Sequence, residues 1–142
     1  MIKKNVYTNI AEILYLLLIG FFCYTAINKL MNLESFRINL MKTSLFSEAV
    51  AKYFSVFVIF SEIVVILIMV FYKKIGLLFL SIMILIFTFY ISFLNFNGLY
   101  EVCGCGGILN GLSYKYHLTI NIFLCVSTIY SFVIFNSKTN EK

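Results

Sequence analysis

Four long apolar stretches, separated by short polar segments, dominate the pattern of hydrophobic and polar positions along the chain. They cover residues 10–28, 53–72, 75–95 and 117–135. Because an α-helix rises about 1.5 Å per residue, roughly 20 apolar residues cross the ~30 Å hydrocarbon core of a bilayer. None of the stretches alternates with the two-residue period of a barrel strand. The pattern predicts an all-α, polytopic membrane protein: a four-transmembrane-helix bundle that forms a single membrane domain over residues 1–142.

A shorter amphipathic segment lies between the first two predicted spans. Leu33, Phe36 and Leu40 recur there at helical spacing, and charged residues occupy the other faces. A helix of this kind places its apolar side in the membrane surface and its charges in water. We therefore expect an interfacial amphipathic helix between spans 1 and 2.

Composition supports lipid as the solvent of this chain. Hydrophobic residues make up 62% of it and charged residues only 12%, which is too apolar for a water-soluble protein of 142 residues. The net charge of +5 does not indicate nucleic acid, because the lysines cluster at span ends, where they snorkel to the interface and orient the helices. The expected partner is the bilayer.

The short turn between the second and third spans indicates the orientation. It carries Lys73 and Lys74, and positive residues in very short loops favour the cytoplasm. The N- and C-termini are then cytoplasmic, and residues 98–116 form an external loop on the periplasmic side of a bacterial inner membrane. That side is oxidising, so a disulfide can persist there.

This loop contains the sequence CGCGG, in which Cys103 and Cys105 flank Gly104 and precede Gly106 and Gly107. Cysteines two positions apart can form a disulfide, but the small ring is strained and therefore labile. Gly104 adds no side chain to that ring, and the following glycines permit close approach of a partner backbone. The motif favours thiol-disulfide exchange, with both cysteines as candidate catalytic residues.

His117, which begins the fourth span, is the candidate group for activating a thiol. As an imidazolium it would lower a cysteine pKa, and as a neutral imidazole it would act as a base. His117, Asn121, Cys125 and Thr128 follow at intervals of four, four and three, so they share one helix face. We expect that face to point into the bundle, because lipid offers polar groups no partner.

Glu62 is the second candidate, since an unpaired carboxylate deep in a span is costly and is expected to face the interior. Lys29, His117 and Asn121 are its expected partners if the helices bring them near. Two readings of Glu62 stay open: it relays protons or contacts a redox lipid, or it holds helices together. Quinone is one open electron acceptor, and electron transfer across the membrane is the other.

Other readings of the cysteines also stay open. The loop disulfide could be structural, in a non-catalytic assembly or anchoring subunit. Cys103, Cys105 and His117 could bind copper or zinc, although a fourth ligand is missing, and no metal site is predicted. Cys23 and Cys125 read as packing thiols, with a second redox pair as the alternative.

Three segments carry a family resemblance: YTAINKL at the end of the first span, FSEIVVILIMVF in the second, and CGCGGILNGLSYKYHLTINIF leading into the fourth. In these segments the chain resembles the MauE/DoxX-like redox-associated membrane proteins. The resemblance runs from about Tyr24 to Phe135. One departure is Val102, which stands where many relatives have proline before the first cysteine.

The resemblance implies a bacterial inner-membrane protein of thiol redox pathways. Methylamine-utilisation members are linked to the maturation of methylamine dehydrogenase and work alongside a thioredoxin-like protein. A thioredoxin-like protein or a disulfide-containing client is thus the implied partner here. Cys103 and Cys105 match the family's cysteine motif. The residues that match its polar positions are Lys29, Glu62, His117 and Asn121.

Overall fold

The computed structural model describes the backbone of residues 2–100 and 112–139 and the side chains of residues 6–100 and 112–137. Within these ranges the protein is all-α. Five helices follow one another in the order α1 (Ile2–Met31), α2 (Leu33–Lys42), α3 (Glu48–Phe71), α4 (Lys73–Phe96) and α5 (Tyr114–Thr139).

Four of the helices are long and apolar enough to cross a membrane, as judged by length and composition. They are Val6–Met31, Glu48–Phe71, Lys73–Phe96 and Tyr114–Ser137. Each contains the corresponding predicted stretch, except that Tyr72 lies outside α3 as the single residue between α3 and α4. Large apolar side chains cover the outside: Leu16, Phe57 and Phe89, for example, are each more than 60% exposed. Such a surface suits lipid rather than water, so the protein is a multi-pass membrane protein.

The four long helices form a ring in which α1 packs on α3 and α5, and α4 packs on α3 and α5. Neighbours in the ring are consecutive spans or the first and last spans, so all four contacts are antiparallel. Inward-facing residues follow at alternating intervals of three and four, which is the spacing of helices that pack at a shallow angle. On α5 they are His117, Asn121, Leu124, Thr128, Ser131 and Phe135. On α3 they are Ala51, Ser55, Val58, Glu62, Val65 and Met69.

The half of the bundle near the α3–α4 turn is a packed apolar core. Its aromatic centre is an edge-to-face pair of Tyr15 and Phe135, with ring centroids 5.7 Å apart. The Tyr15 hydroxyl donates a hydrogen bond to the Met69 carbonyl. The Lys73 ammonium lies 5.3 Å and 5.5 Å from the centroids of those two rings, a cation–π arrangement. The turn is therefore held tightly against α1 and α5.

The predicted helix between the first two spans is present as α2. Its apolar side packs on the first half of α3: Phe36 and Leu40 are buried and contact the cluster that contains Val58. Glu34 and Lys42 are exposed on its other faces. The helix is amphipathic, as its sequence predicts, and it covers one side of the bundle interior.

Helix α4 ends in a Schellman motif whose left-handed position is occupied by a glycine, Gly98. Gly98 has a positive φ of 70°, a conformation that glycine adopts without a steric penalty. The Leu99 amide donates to the Leu94 carbonyl at 2.8 Å, and the Gly98 amide donates to the Asn95 carbonyl at 3.2 Å. These are the two hydrogen bonds of the motif. They end the helix cleanly and set the direction in which the chain enters Tyr100.

Candidate functional site

An ion pair between Lys29 and Glu62 lies in the interior of the bundle. Lys29 belongs to the last turn of α1 and Glu62 to the middle of α3, and their side chains are 5% and 0% exposed. The Lys29 ammonium donates to Glu62 Oε1 and lies 5.1 Å from the centroid of the Phe87 ring and 6.0 Å from that of Phe36. Lys29 is thus the one of the three expected partners of Glu62 that forms the ion pair, and it differs from the snorkelling lysines expected at span ends. Its side chain turns inward because a carboxylate and two aromatic faces replace water there.

His117 is buried on the first turn of α5, and its ring meets the residue that precedes the cysteine loop. His117 Nδ1 lies 2.9 Å from the Tyr100 hydroxyl. The Tyr100 ring also contacts the Tyr114 ring edge to face, with centroids 5.6 Å apart. Tyr114 in turn shares a hydrogen bond of 3.1 Å with Ser92 of α4. The chain on both sides of residues 101–111 is thus attached to the bundle beside His117.

The Tyr100 hydroxyl is a proton donor at neutral pH. Partial burial raises the pKa of Tyr100 above its ordinary value of 10.0, and the nearby Tyr114 hydroxyl raises it further. Because Tyr100 stays protonated, its hydroxyl can donate to Nδ1 of a neutral His117. When Tyr100 is the donor, the proton of a neutral His117 is on Nε2.

The polar face of α5 points inward, as its spacing predicts. His117, Asn121 and Thr128 are almost fully buried, and Cys125 is half-buried. Asn121 Nδ2 donates to the Thr88 hydroxyl of α4 at 3.2 Å. The amide and hydroxyl groups of this face therefore find partners on neighbouring helices or within α5 itself, as polar groups in a membrane interior require.

Lys29, Glu62, His117 and Asn121 line one cavity of about 390 Å³ between the helices. Its other walls are mostly apolar and come from all five helices, and they include Phe36 of α2; the remaining polar groups are the hydroxyls of Thr25, Ser61 and Tyr90. Its volume lies within the range of small-molecule sites, which combine apolar walls with a few polar groups. Of the positions predicted from sequence, the structure brings these four together.

The remaining predicted site residues belong to the CGCGG motif. Cys103, Cys105, Gly104, Gly106 and Gly107 lie outside the described residues. The other two cysteines, Cys23 and Cys125, are half-buried free thiols that pack against the apolar core.

Sequence reasoning missed two aromatic residues of the site. Tyr100 falls within the predicted external loop of residues 98–116, although a tyrosine directly after a helix end is a signal for an aromatic anchor. Tyr90 lies within the third predicted span, where the sequence has no signal that separates a buried aromatic residue from one that faces lipid. The hydroxyl of each residue is a polar group that needs a partner when it is buried.

The fold and the site define a class of protein: a four-span membrane protein with an ion pair, a histidine and an asparagine around an internal cavity. The chain belongs to the MauE family, since the model of the family Methylamine utilisation protein MauE matches residues 7–134. The match covers most of the chain and confirms the resemblance noted in its sequence. Lys29, Glu62, His117 and Asn121 all fall within the matched range. No curated protein and no solved structure matches the chain.

Proposed function

We propose that this MauE-family membrane protein is a thiol-disulfide exchange protein that acts through Cys103 and Cys105. Its partner is a periplasmic thioredoxin-like protein or a disulfide-containing client, as in the maturation of methylamine dehydrogenase. The observation that carries the proposal is the hydrogen bond between Tyr100 and His117. Cys103 follows Tyr100 by three residues, and three residues span at most about 11 Å. This length of chain is enough for the first cysteine to reach the buried imidazole, which supports the proposal that His117 serves the thiol pair.

The proposed reaction is a two-step exchange. One cysteine, as a thiolate, attacks a disulfide of the partner and forms a mixed disulfide, and one partner thiolate leaves. The second cysteine then attacks the mixed disulfide, which releases the partner as a dithiol and leaves Cys103 and Cys105 oxidised. The reverse sequence oxidises a partner dithiol. His117 takes up or supplies the thiol proton, and Tyr100 holds its ring in one tautomer.

The proposal requires the cysteines to lie outside the inner membrane. Six lysines lie on the side of the α3–α4 turn and the termini, whereas five basic residues lie on the side of the cysteine loop. Because Lys29 is paired with Glu62 inside the bundle, only four of those five are available to orient the chain. This imbalance supports cytoplasmic termini and an external loop. α2 would then lie at the outer membrane surface, with Glu34 and Lys42 toward water.

Trapping of the mixed disulfide tests the exchange. In cells of a bacterium that uses a MauE-family protein, we expect Cys105→Ser or Cys103→Ser to accumulate an adduct with one partner that a reductant dissolves. The variant that lacks the resolving cysteine gives the stronger adduct. Cys23→Ser is the matched control, because Cys23 packs against the core, and it should give no adduct.

A redox titration of the purified protein measures the reduction potential of the Cys103/Cys105 pair and separates an exchanging disulfide from a structural one. Exchange proteins have potentials between about −270 and −120 mV, whereas structural disulfides lie below about −300 mV. A potential below that limit, together with no adduct in either single variant, would contradict the exchange and favour an anchoring subunit with a stapled loop.

A further inference from the structure

The internal cavity opens between α3 and α4 toward the outside of the bundle. Four of its lining residues, Phe57, Phe79, Ile82 and Ile86, are between 46% and 62% exposed. They lie on the apolar outer surface of the candidate spans, so in a membrane they face lipid. A ligand would therefore enter from the bilayer and keep an apolar portion among these side chains.

The inner wall of the cavity presents two polar atoms that have no partner among the described residues. Glu62 Oε2 and the Tyr90 hydroxyl are both buried and unpaired there, and Glu62 is 0% exposed. The other oxygen of Glu62 is bonded to Lys29. Buried polar atoms are rarely left unpaired, because their desolvation is then uncompensated. One acceptor and one hydroxyl are therefore available to a ligand in the cavity.

The charges of the wall restrict the chemistry of that ligand. Lys29 and Glu62 neutralise each other, and the free atom is a carboxylate oxygen, which repels a phosphate or a carboxylate. A neutral ring with hydroxyl or carbonyl oxygens fits. A hydroxyl would donate to Glu62 Oε2, and a carbonyl would accept from the Tyr90 hydroxyl. The aromatic rings of Phe36 and Phe87 line the same space and suit a planar ligand.

We propose that the cavity binds a membrane quinone, with the ring beside Glu62 and Tyr90 and the apolar tail between α3 and α4. The quinone form is held by donation from Tyr90, and the quinol form donates to Glu62. The ring then serves as the electron acceptor for the thiol pair: two S–H bonds break, one S–S bond forms, and the quinone gains two electrons and two protons to become a quinol. This electron transfer rests on the proposed function, whereas binding of the quinone does not.

Binding of a short-tailed analogue tests the site directly. We expect delipidated full-length protein in detergent to bind decylubiquinone at one site, as measured by calorimetry. Ile86→Trp fills the opening without touching the ion pair and should weaken binding by roughly ten-fold or more, the equivalent of one lost anchoring contact. Leu85→Trp is the matched control, because Leu85 is exposed on the same helix but does not line the cavity, and its affinity should equal that of the native chain.

Glu62→Gln, with Glu12→Gln as its matched control, tests the contact of the carboxylate with the ligand. Glu12 is an exposed carboxylate in the first span and should have no effect, whereas Glu62→Gln should weaken binding of the quinol more than that of the quinone. Equal affinity in the native chain and in Ile86→Trp would overturn the proposed site. Displacement of the quinone from the cavity by phospholipid alone would also overturn the proposed site.

The double variant Cys103→Ser/Cys105→Ser separates this inference from the proposed function. It should bind the quinone with native affinity but should not support quinone reduction by a dithiol, measured from the loss of quinone absorbance. If no form of the protein binds quinone while mixed disulfides still accumulate, the inference fails and the exchange stands. If quinone binds but the native chain reduces none of it, electron transfer from the thiols is wrong.

Discussion

The Lys29–Glu62 pair is the most constrained feature at the scale of single residues. Each partner removes the other's cost of burial, since a lone charge in this interior would have neither water nor a counter-ion. The cation also contacts the Phe87 ring, which adds an attraction that an ammonium in water lacks. The pair therefore specifies how α1 and α3 meet more than it adds to net stability.

Removal of one partner should be far more damaging than removal of both. We expect Lys29→Met to lower the free energy of unfolding by about 3–5 kcal/mol, because it leaves Glu62 charged and unpaired or forces its protonation. The double variant Lys29→Met/Glu62→Met should recover most of that loss. Unfolding in mixed micelles of mild detergent and dodecyl sulfate measures both.

The exposed pair of Arg37 and Glu34 provides the control for that cycle. Its charges lie 2.6 Å apart, but the side chains are 27% and 66% exposed. Glu34→Gln should therefore cost less than about 1 kcal/mol. If Lys29→Met were as mild as Glu34→Gln, the buried pair would not be the structural constraint described above.

Tyr100 is expected to act on the cysteines through His117. Tyr100→Phe keeps the ring contact with Tyr114 but removes the hydrogen bond to His117 Nδ1. The loss of one hydrogen bond, about 1 kcal/mol, should slow thiol exchange roughly five-fold. Because burial raises the Tyr100 pKa above 10.0, the hydroxyl stays protonated and the effect should be constant between pH 7 and 9.

The rate of reaction with a small disulfide reagent, measured across that range, checks this prediction. Tyr116→Phe is the matched control, since Tyr116 is exposed on the same helix turn as His117. If the rate–pH profile of Tyr100→Phe coincided with that of the native chain, His117 would not depend on Tyr100.

At the scale of helices, the α3–α4 turn leaves no room for a side chain at Gly76. Only Tyr72 separates the two helices, so α4 begins directly against the end of α3. A Cβ atom on Gly76 would lie 2.4 Å from the Met69 Cα and 2.6 Å from its amide nitrogen. Backbone atoms cannot move aside as a flexible side chain can, so only glycine fits at this crossing.

Gly76→Ala should therefore destabilise the protein, although alanine is ordinarily the better helix residue. We expect a loss of about 1–3 kcal/mol, typical of overpacking. Gly20→Ala is the matched control, because a Cβ there meets nothing within 4 Å, and it should be neutral or stabilising by up to about 1 kcal/mol. The detergent unfolding midpoint distinguishes the two. A stabilising Gly76→Ala would show that the helices part easily at this turn.

At the scale of the whole molecule, the four spans could be predicted from sequence because membrane thickness fixes the length of an apolar helix. The inward face of α5 could also be predicted, since His117, Asn121 and Thr128 recur at helical spacing. The sequence predicts Lys29 only as one of three possible partners of Glu62, because a lysine near a helix end can reach either water or the interior; the packing of α1 on α3 selects Lys29. The contact of Tyr100 with His117 could not be predicted, since it depends on the direction that the chain takes after the Schellman motif at Gly98.

Orientation is the whole-molecule property on which the proposed chemistry depends most. A disulfide that exchanges with secreted clients must lie outside the cytoplasm, where thiols are kept reduced. The loop cysteines follow α4 and precede α5, whereas Ser137 is exposed at the opposite end of α5. In a chain whose core cysteines, Cys23 and Cys125, are replaced by serine, the two ends of the bundle can therefore be labelled separately.

We expect a membrane-impermeant maleimide to label Cys103 and Cys105 in cells whose outer membrane alone is opened, after an impermeant reductant has opened their disulfide. Ser137→Cys, placed in a chain that also lacks the loop cysteines, should be labelled only once the inner membrane is broken. The reverse pattern would put the loop in the cytoplasm. The disulfide would then face a reducing pool, and exchange with periplasmic clients would be impossible, whatever the affinity of the cavity for quinone.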